Sequence, residues 1–260
     1  RKENTVSKLL IGYLYKEDLN LYGDNGNVEV LQARCSRRDV ECEVILIDKG
    51  KLTSHNRLSE INLLFMGGGP DSSQKSIYGD FLEEKEPFIR DYVSSGKTGL
   101  FVCGSYQLMG DYYRASDGEE LKGLGIFKAH TIHFGKNKPR CIGNVRATLT
   151  GKISSDPVFK NVNFLEDGIV GFENHGGRTY LDSGAEPFAR VTYGHGNNSE
   201  DGTEGILLGN CIGTYFHGPL LAKNPHLADY LIAKALNVQE LPKLNDRFTT
   251  ASYTASKKLR

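Results

Sequence analysis

The chain has 260 residues, 38% of them hydrophobic with 12 Phe and 13 Tyr, enough to bury a sizeable core in one large α/β domain or two small ones. Lys plus Arg and Asp plus Glu both number 32, so the formal net charge is zero, which argues against nucleic acid or another polyanion as partner. No apolar stretch approaches the ~20 residues of a bilayer span. The charged start "RKENTVSKLLIGYLY" lacks the apolar segment of a signal peptide, so a cytoplasmic protein without a membrane anchor is expected.

Short apolar runs rich in Val, Ile, Leu and Phe predict strands over 9–15, 42–48, 61–69 and 99–104. A helix is predicted over 27–39, with Asp24, Asn25 and Asn27 as N-cap candidates, and a second over 79–96 from its apolar spacing. Near-continuous apolar strands alternating with helices are the pattern of a buried parallel sheet. In the second half, runs at 142–149, 168–175, 188–194, 204–209 and 211–218 follow closely, separated by Gly, Asn and Asp. They predict additional antiparallel strands, closed by a helix over 221–236. The expected fold is α/β: a mostly parallel central sheet flanked by helices, in a domain spanning 1–240. Residues 241–260 form a polar tail, flexible or bound to a partner.

Two turns carry candidate chemistry. In "MGGGPD" (66–71), three glycines after a buried strand suit either a tight turn or backbone N–H donors aimed at an oxyanion. "GLFVCGSYQLMG" (99–110) puts Cys103 between an apolar run and Gly104. That is either a packed core cysteine or a nucleophile held on a strand-to-helix elbow, where a helix N-terminus favours the thiolate. In the second case the Gly104 N–H and one from Gly68 or Gly69 complete an oxyanion hole. The other four cysteines, Cys35, Cys42, Cys141 and Cys211, read as small buried hydrophobes, and an odd count without CxxC spacing argues against a disulfide framework or a cysteine-built zinc site. A thiol nucleophile needs a base. Of seven histidines, His217 in "GTYFHGP" falls at a strand end and is the candidate, with His175 in "ENHGGRT" as competitor and the rest expected on the surface or in loops.

Together, "MGGGPD", "FVCGSYQ", "GFENHGGRT" and "GTYFHGP" resemble the triad-type (class I) glutamine amidotransferases in the branch shared with cobyric acid synthase. With "LNLYGDNGN", "GLGIF" and "YGHGNN", the resemblance narrows to the GatD-type glutaminase subunits of lipid II isoglutaminyl synthases and covers about 9–236. It implies Cys103 as nucleophile, His217 as base and then acid, and N–H donors near Gly69 and Gly104. It also implies Arg140 as the arginine that binds glutamine, with Arg178 as a local alternative or a brace for its own loop. Gln107, Asn174, His175 and Gly176 would line the pocket. The Glu that many members carry two residues after the histidine is Pro219 here, which leaves a Cys–His dyad or an acid from elsewhere. No metal and no cofactor is expected in this chain, which lacks a Walker-type loop. ATP and Mg would belong to a Mur-ligase-like (MurT type) partner in a heterodimer, amidating lipid II at the inner face of the bacterial membrane. The alternatives are the glutaminase component of a cobyric or cobyrinic acid amidation system, and an inert regulatory subunit.

Overall fold

The computed structural model describes residues 8–135 and 138–259. The first seven residues of the N-terminal stretch read for a signal peptide lie outside them. A six-stranded sheet forms the centre. Strand β1 (Leu9–Leu14), fully buried, leads through an irregular segment to helix α1 (Asn25–Ser36), and β2 (Cys42–Ile47) returns parallel beside β1. Strand β3 (Leu63–Met66) then pairs on the other side of β1, so the chain reverses its direction of growth between β1 and β3.

Helices α2 (Asp71–Asp80) and α3 (Glu86–Ser94) are joined by one π-helical turn, making a single helical run that starts earlier than the sequence suggested. Pro87 has no N–H to donate and would clash inside a regular helix, and the wider turn just before it absorbs the misfit. Strand β4 (Thr98–Val102) pairs with β3 and ends at α4 (Gly104–Met109).

The next strands were not legible. β5 (Tyr112–Arg114) and β6 (Glu120–Lys122) are three residues each, and with β7 (Ala129–His133) they start a second sheet. Strand β8 (Cys141–Leu149) follows, then short helices α5 (Gly151–Ser154) and α6 (Pro157–Val162), then β9 (Gly168–His175) and β10 (Gly177–Leu181). β10 pairs with β7 to complete the second sheet. β11 (Ala189–Tyr193) and β12 (Thr203–Glu204) join β8 and β9 in a third, antiparallel sheet. β13 (Ile206–Leu208) is the antiparallel edge of the central sheet, and β14 (Cys211–Thr214) pairs parallel with β4. The expected α/β class therefore holds, with the antiparallel strands mostly gathered into sheets of their own.

The closing helix is split into α7 (Leu220–Lys223) and α8 (Pro225–Leu236) at Asn224. Beyond it, α9 (Arg247–Ser256) buries Tyr253, whose hydroxyl donates to the Gly168 carbonyl at 2.8 Å. A buried ion cluster ties this segment to the core. Arg34 meets Asp229 at 2.5 Å and Asp246 at 2.9 Å, and Arg38 meets Asp229 at 2.7 Å. Among the described residues no helix is long and apolar enough to cross a membrane.

Candidate active site

Four adjacent strands of the central sheet, β1, β3, β4 and β14, end on one side, where a parallel sheet reverses direction and opens a crevice. Beyond those ends stand, in turn, Asp24, the 67–69 glycine loop, Cys103 and His217. Cys103 has φ 54° and ψ −106°, a conformation that L residues adopt at a cost of about 1–3 kcal/mol. Flanking bonds hold it there: its N–H donates to the Thr214 carbonyl at 2.8 Å, and its carbonyl accepts from the Gln107 N–H at 3.0 Å. Of the two readings of this cysteine, the backbone is that of the elbow, yet the residue is only 7% exposed, at the wall of a cleft of about 580 Å³.

His217 lies three residues past the end of β14, where its backbone exchanges two hydrogen bonds with Phe172 of β9, at 2.7 and 3.0 Å. Its ring is buried under Tyr22, centroids 5.0 Å apart. The ring Nδ1–H donates to Asp24 Oδ1 at 2.8 Å, since an ionised carboxylate can only accept. Burial, the largest single influence, pushes the imidazole pKa down. The hydrogen bond and charge of Asp24, with the Cys103 thiol, outweigh it and raise the value to about 10. Nε2 is buried without a hydrogen-bond partner among the described residues.

Asp24 is the residue that sequence reasoning missed. It was read as a helix N-cap, and it does precede α1, but its side chain caps nothing. Its Oδ1 takes His217, and its Oδ2 accepts the Gly68 N–H at 2.8 Å. A carboxylate thus reaches His217 from the residue just before α1 rather than from position 219. Pro219 belongs to this arrangement: a Cβ on Gly26 would lie 2.3 Å from its Cγ, so the ring seats directly on the first turn of α1. The Leu221 N–H also donates to Asn27 Oδ1 at 2.9 Å. Because Asp24 occupies the Gly68 N–H, the candidate oxyanion donors narrow to Gly69 and Gly104, whose N–H groups meet no protein acceptor among the described residues.

The cleft gathers Gly69, Gln107, Arg140, Asn174, His175 and Gly176 around Cys103, while Gly104 sits beside Cys103 as the first residue of α4. Arg140 Nε donates to Asn174 Oδ1 at 2.9 Å, and Asn174 Nδ2 donates to the Tyr22 hydroxyl at 2.6 Å, linking the two sides of the mouth. Gln107 accepts from Gln74 at 3.2 Å and donates to Tyr215 Oη at 3.1 Å. The competitor base, His175, lies flat on Tyr215, donates Nδ1–H to the Gly177 carbonyl at 2.7 Å, and stands 3.7 Å from Glu173. It therefore lacks the carboxylate at hydrogen-bond distance that His217 has. Arg178 braces a different loop from its own, donating to the Pro139 carbonyl at 2.9 Å just before Arg140.

Of the other histidines His226 departs from expectation, buried in α8, while His130 and His133 are half-buried on β7. Cys35, Cys141 and Cys211 are buried as read, and Cys42 is half-buried. Among the described residues no cluster of three or more His, Cys, Asp or Glu is arranged to hold a metal ion.

The chain shares its fold with solved structures over most of its length. Against PurLQS from Thermotoga maritima the TM-score is 0.58 at 14% identity, covering 88% of this chain and 98% of that one. Against the glutaminase domain of Trypanosoma brucei CTPS with bound acivicin it is 0.55 at 12% identity, covering 90% and 98%. In sequence it is 37% identical to subunit GatD of the glutamine-hydrolysing lipid II isoglutaminyl synthase of Staphylococcus aureus, over 91% of this chain and 88% of that protein. The Streptococcus pneumoniae GatD is 35% identical, over 90% and 82%. A cobyric acid synthase of Pelotomaculum thermopropionicum is 31% identical over half of this chain and 24% of its own length. Residues 10–225 match the CobB/CobQ-like glutamine amidotransferase domain, and the chain is a glutamine amidotransferase of that family.

Proposed function

We propose that this chain is the glutaminase subunit of a lipid II isoglutaminyl synthase, with Cys103, His217 and Asp24 as its catalytic groups. The Cys103 thiolate attacks the side-chain carbonyl carbon of L-glutamine, and the Gly69 and Gly104 N–H groups receive the oxyanion. As the tetrahedral adduct collapses, the C–N bond breaks and the His217 imidazolium gives its proton to the leaving nitrogen, releasing ammonia. Neutral His217 then takes a proton from water, whose oxygen attacks the thioester carbon. The C–S bond breaks, glutamate leaves, and the thiolate is restored beside the imidazolium. Arg140 receives the substrate α-carboxylate, for which a guanidinium fork is suited.

The observation that carries the chemistry is the bonded pair His217–Asp24, 2.8 Å apart and buried, beside a cysteine in a strained elbow. The acceptor rests on likeness: this chain spans more than four-fifths of both GatD relatives but only 24% of the cobyric acid synthase named above. In this reading the ammonia passes to a Mur-ligase-like partner that uses ATP and Mg to activate the D-glutamate α-carboxylate of lipid II, giving D-isoglutamine at the inner membrane face. The test is glutamate release from L-glutamine by the chain alone and with that partner, beside Cys103→Ala. Loss of activity with Cys103→Ala and stimulation by the partner are expected. A wild-type chain inactive in both preparations would refute the reading.

A further inference from the structure

Glutamine enters as a zwitterion, and its α-ammonium needs a partner as much as its α-carboxylate does. Among the residues lining the cleft there is one carboxylate, Asp71, in the first turn of α2, and one guanidinium, Arg140. Neither makes an ion pair with another described residue; Arg140 contacts only Asn174, and Asp71 accepts only from the Tyr113 hydroxyl, at 3.2 and 3.3 Å to its two oxygens. That hydroxyl belongs to a buried ring, so it fixes the carboxylate without neutralising it.

Two unpaired, opposite charges are thus left in one cleft beside the nucleophile. His133 stands within the influence of both. Its pKa falls below the ordinary value chiefly through burial, with Asp71 pushing it up and Arg140 and Arg178 pushing it down. Tyr113 in turn feels both Asp71 and Cys103: burial raises its pKa most, and those two groups raise it further. Asp71, Arg140 and Cys103 thus line one cleft. An α-amino acid with its amide at Cys103 and its carboxylate at Arg140 has its remaining charge to place, and Asp71 is the partner of opposite sign.

We infer that Asp71 is the specificity-determining residue that receives the substrate α-ammonium group, and so restricts the enzyme to α-amino acid amides. This rests on the glutaminase reading of the site. The test compares ammonia release from L-glutamine and from 5-amino-5-oxopentanoate, which is glutamine without its α-amino group, using the full chain with its partner subunit. A charged hydrogen bond of this kind corresponds to about 10- to 100-fold in kcat/KM in favour of glutamine. Asp71→Asn, which keeps shape and the Tyr113 contact, should remove most of that preference through a raised KM for glutamine, with the analogue changing less than about threefold. Asp71→Glu should keep part of it. An active Asp71→Asn enzyme with its preference intact, or one weakened equally on both substrates, would overturn the assignment alone. A wild-type enzyme inactive on L-glutamine would overturn the glutaminase reading with it.

Discussion

Replacing Asp24 by Asn tests the catalytic arrangement most directly, because one carboxylate serves two positions. The side chain keeps its size, and the Gly68 N–H, 2.8 Å from Oδ2, requires an oxygen to remain there. The amide NH₂ then faces His217 Nδ1. That nitrogen must become an acceptor, and the ring proton moves to Nε2, the nitrogen that has to handle the thiol proton. A tautomer reversal of this kind lowers kcat on the order of 10³- to 10⁴-fold in triad enzymes.

The pKa of His217 supplies a second readout. Asp24 and Cys103 hold it near 10 against burial, from an ordinary value of 6.5. At about 1.36 kcal/mol per unit the net effect is on the order of 5 kcal/mol. With the folded value above the unfolded one, that stability is fully present below pH 6.5 and is lost as pH rises through about 10. In Asp24→Asn the carboxylate no longer opposes desolvation, so this pH dependence should flatten. Glutamate release measured across pH should show a collapsed kcat and a KM within about threefold of wild type, since Asp24 does not line the cleft. A variant keeping more than about a tenth of wild-type kcat would refute the tautomer argument.

Glu204 is fully buried, its Oε1 accepting from Thr214 Oγ1 at 2.6 Å and from the Tyr215 N–H at 2.9 Å. Burial raises its pKa to about 8 from 4.5, with Glu173 adding to the rise and His217 opposing it. Between those values the unfolded chain loses its proton while the folded chain keeps it, so stability falls as pH rises. Glu204→Gln should therefore gain stability relative to wild type between pH 5 and 8, in urea melts, by a few kcal/mol at most; parallel curves at the two pH values would contradict this. Gly68→Ala would put a Cβ 2.8 Å from Cys103 Cβ and 3.2 Å from the Val102 carbonyl. Displacing the elbow by a fraction of an ångström should lower kcat by about 10²-fold with a modest loss of thermal stability, and an unchanged kcat would show that the elbow has slack.

The parallel core could be read from sequence because strands such as β1 and β4 are buried on both faces, so Leu9–Leu14 and the Leu100–Val102 part of β4 are nearly continuous apolar runs. The positions of Cys103 and His217 were legible for a related reason: each follows an apolar run, at the end of a parallel strand where such a sheet can hold a ligand. The three-residue strands at Tyr112–Arg114 and Glu120–Lys122 carry no periodicity to read. Asp24 was hidden by a locally sufficient explanation. An Asp just before a helix is an ordinary cap, and nothing near it points to a histidine 193 residues away. Its neighbour Gly26, which would clash with Pro219 if it carried a side chain, was the available sign that something packs on this turn.

A carboxylate placed just before α1, rather than at the histidine's own strand end, has more than one group within reach. Asp24 reaches the ring with one oxygen and the Gly68 N–H with the other, and Gly68 immediately precedes the donor at Gly69. His217 and the glycine loop at 67–69 are thereby fixed to one side chain, and hence to each other, although they follow different strands. Pro219 makes this possible by seating on Gly26, which brings the start of α1 against the end of the histidine motif. Where the motif departs from the commoner family pattern, the fold uses the same position to draw in the replacement acid.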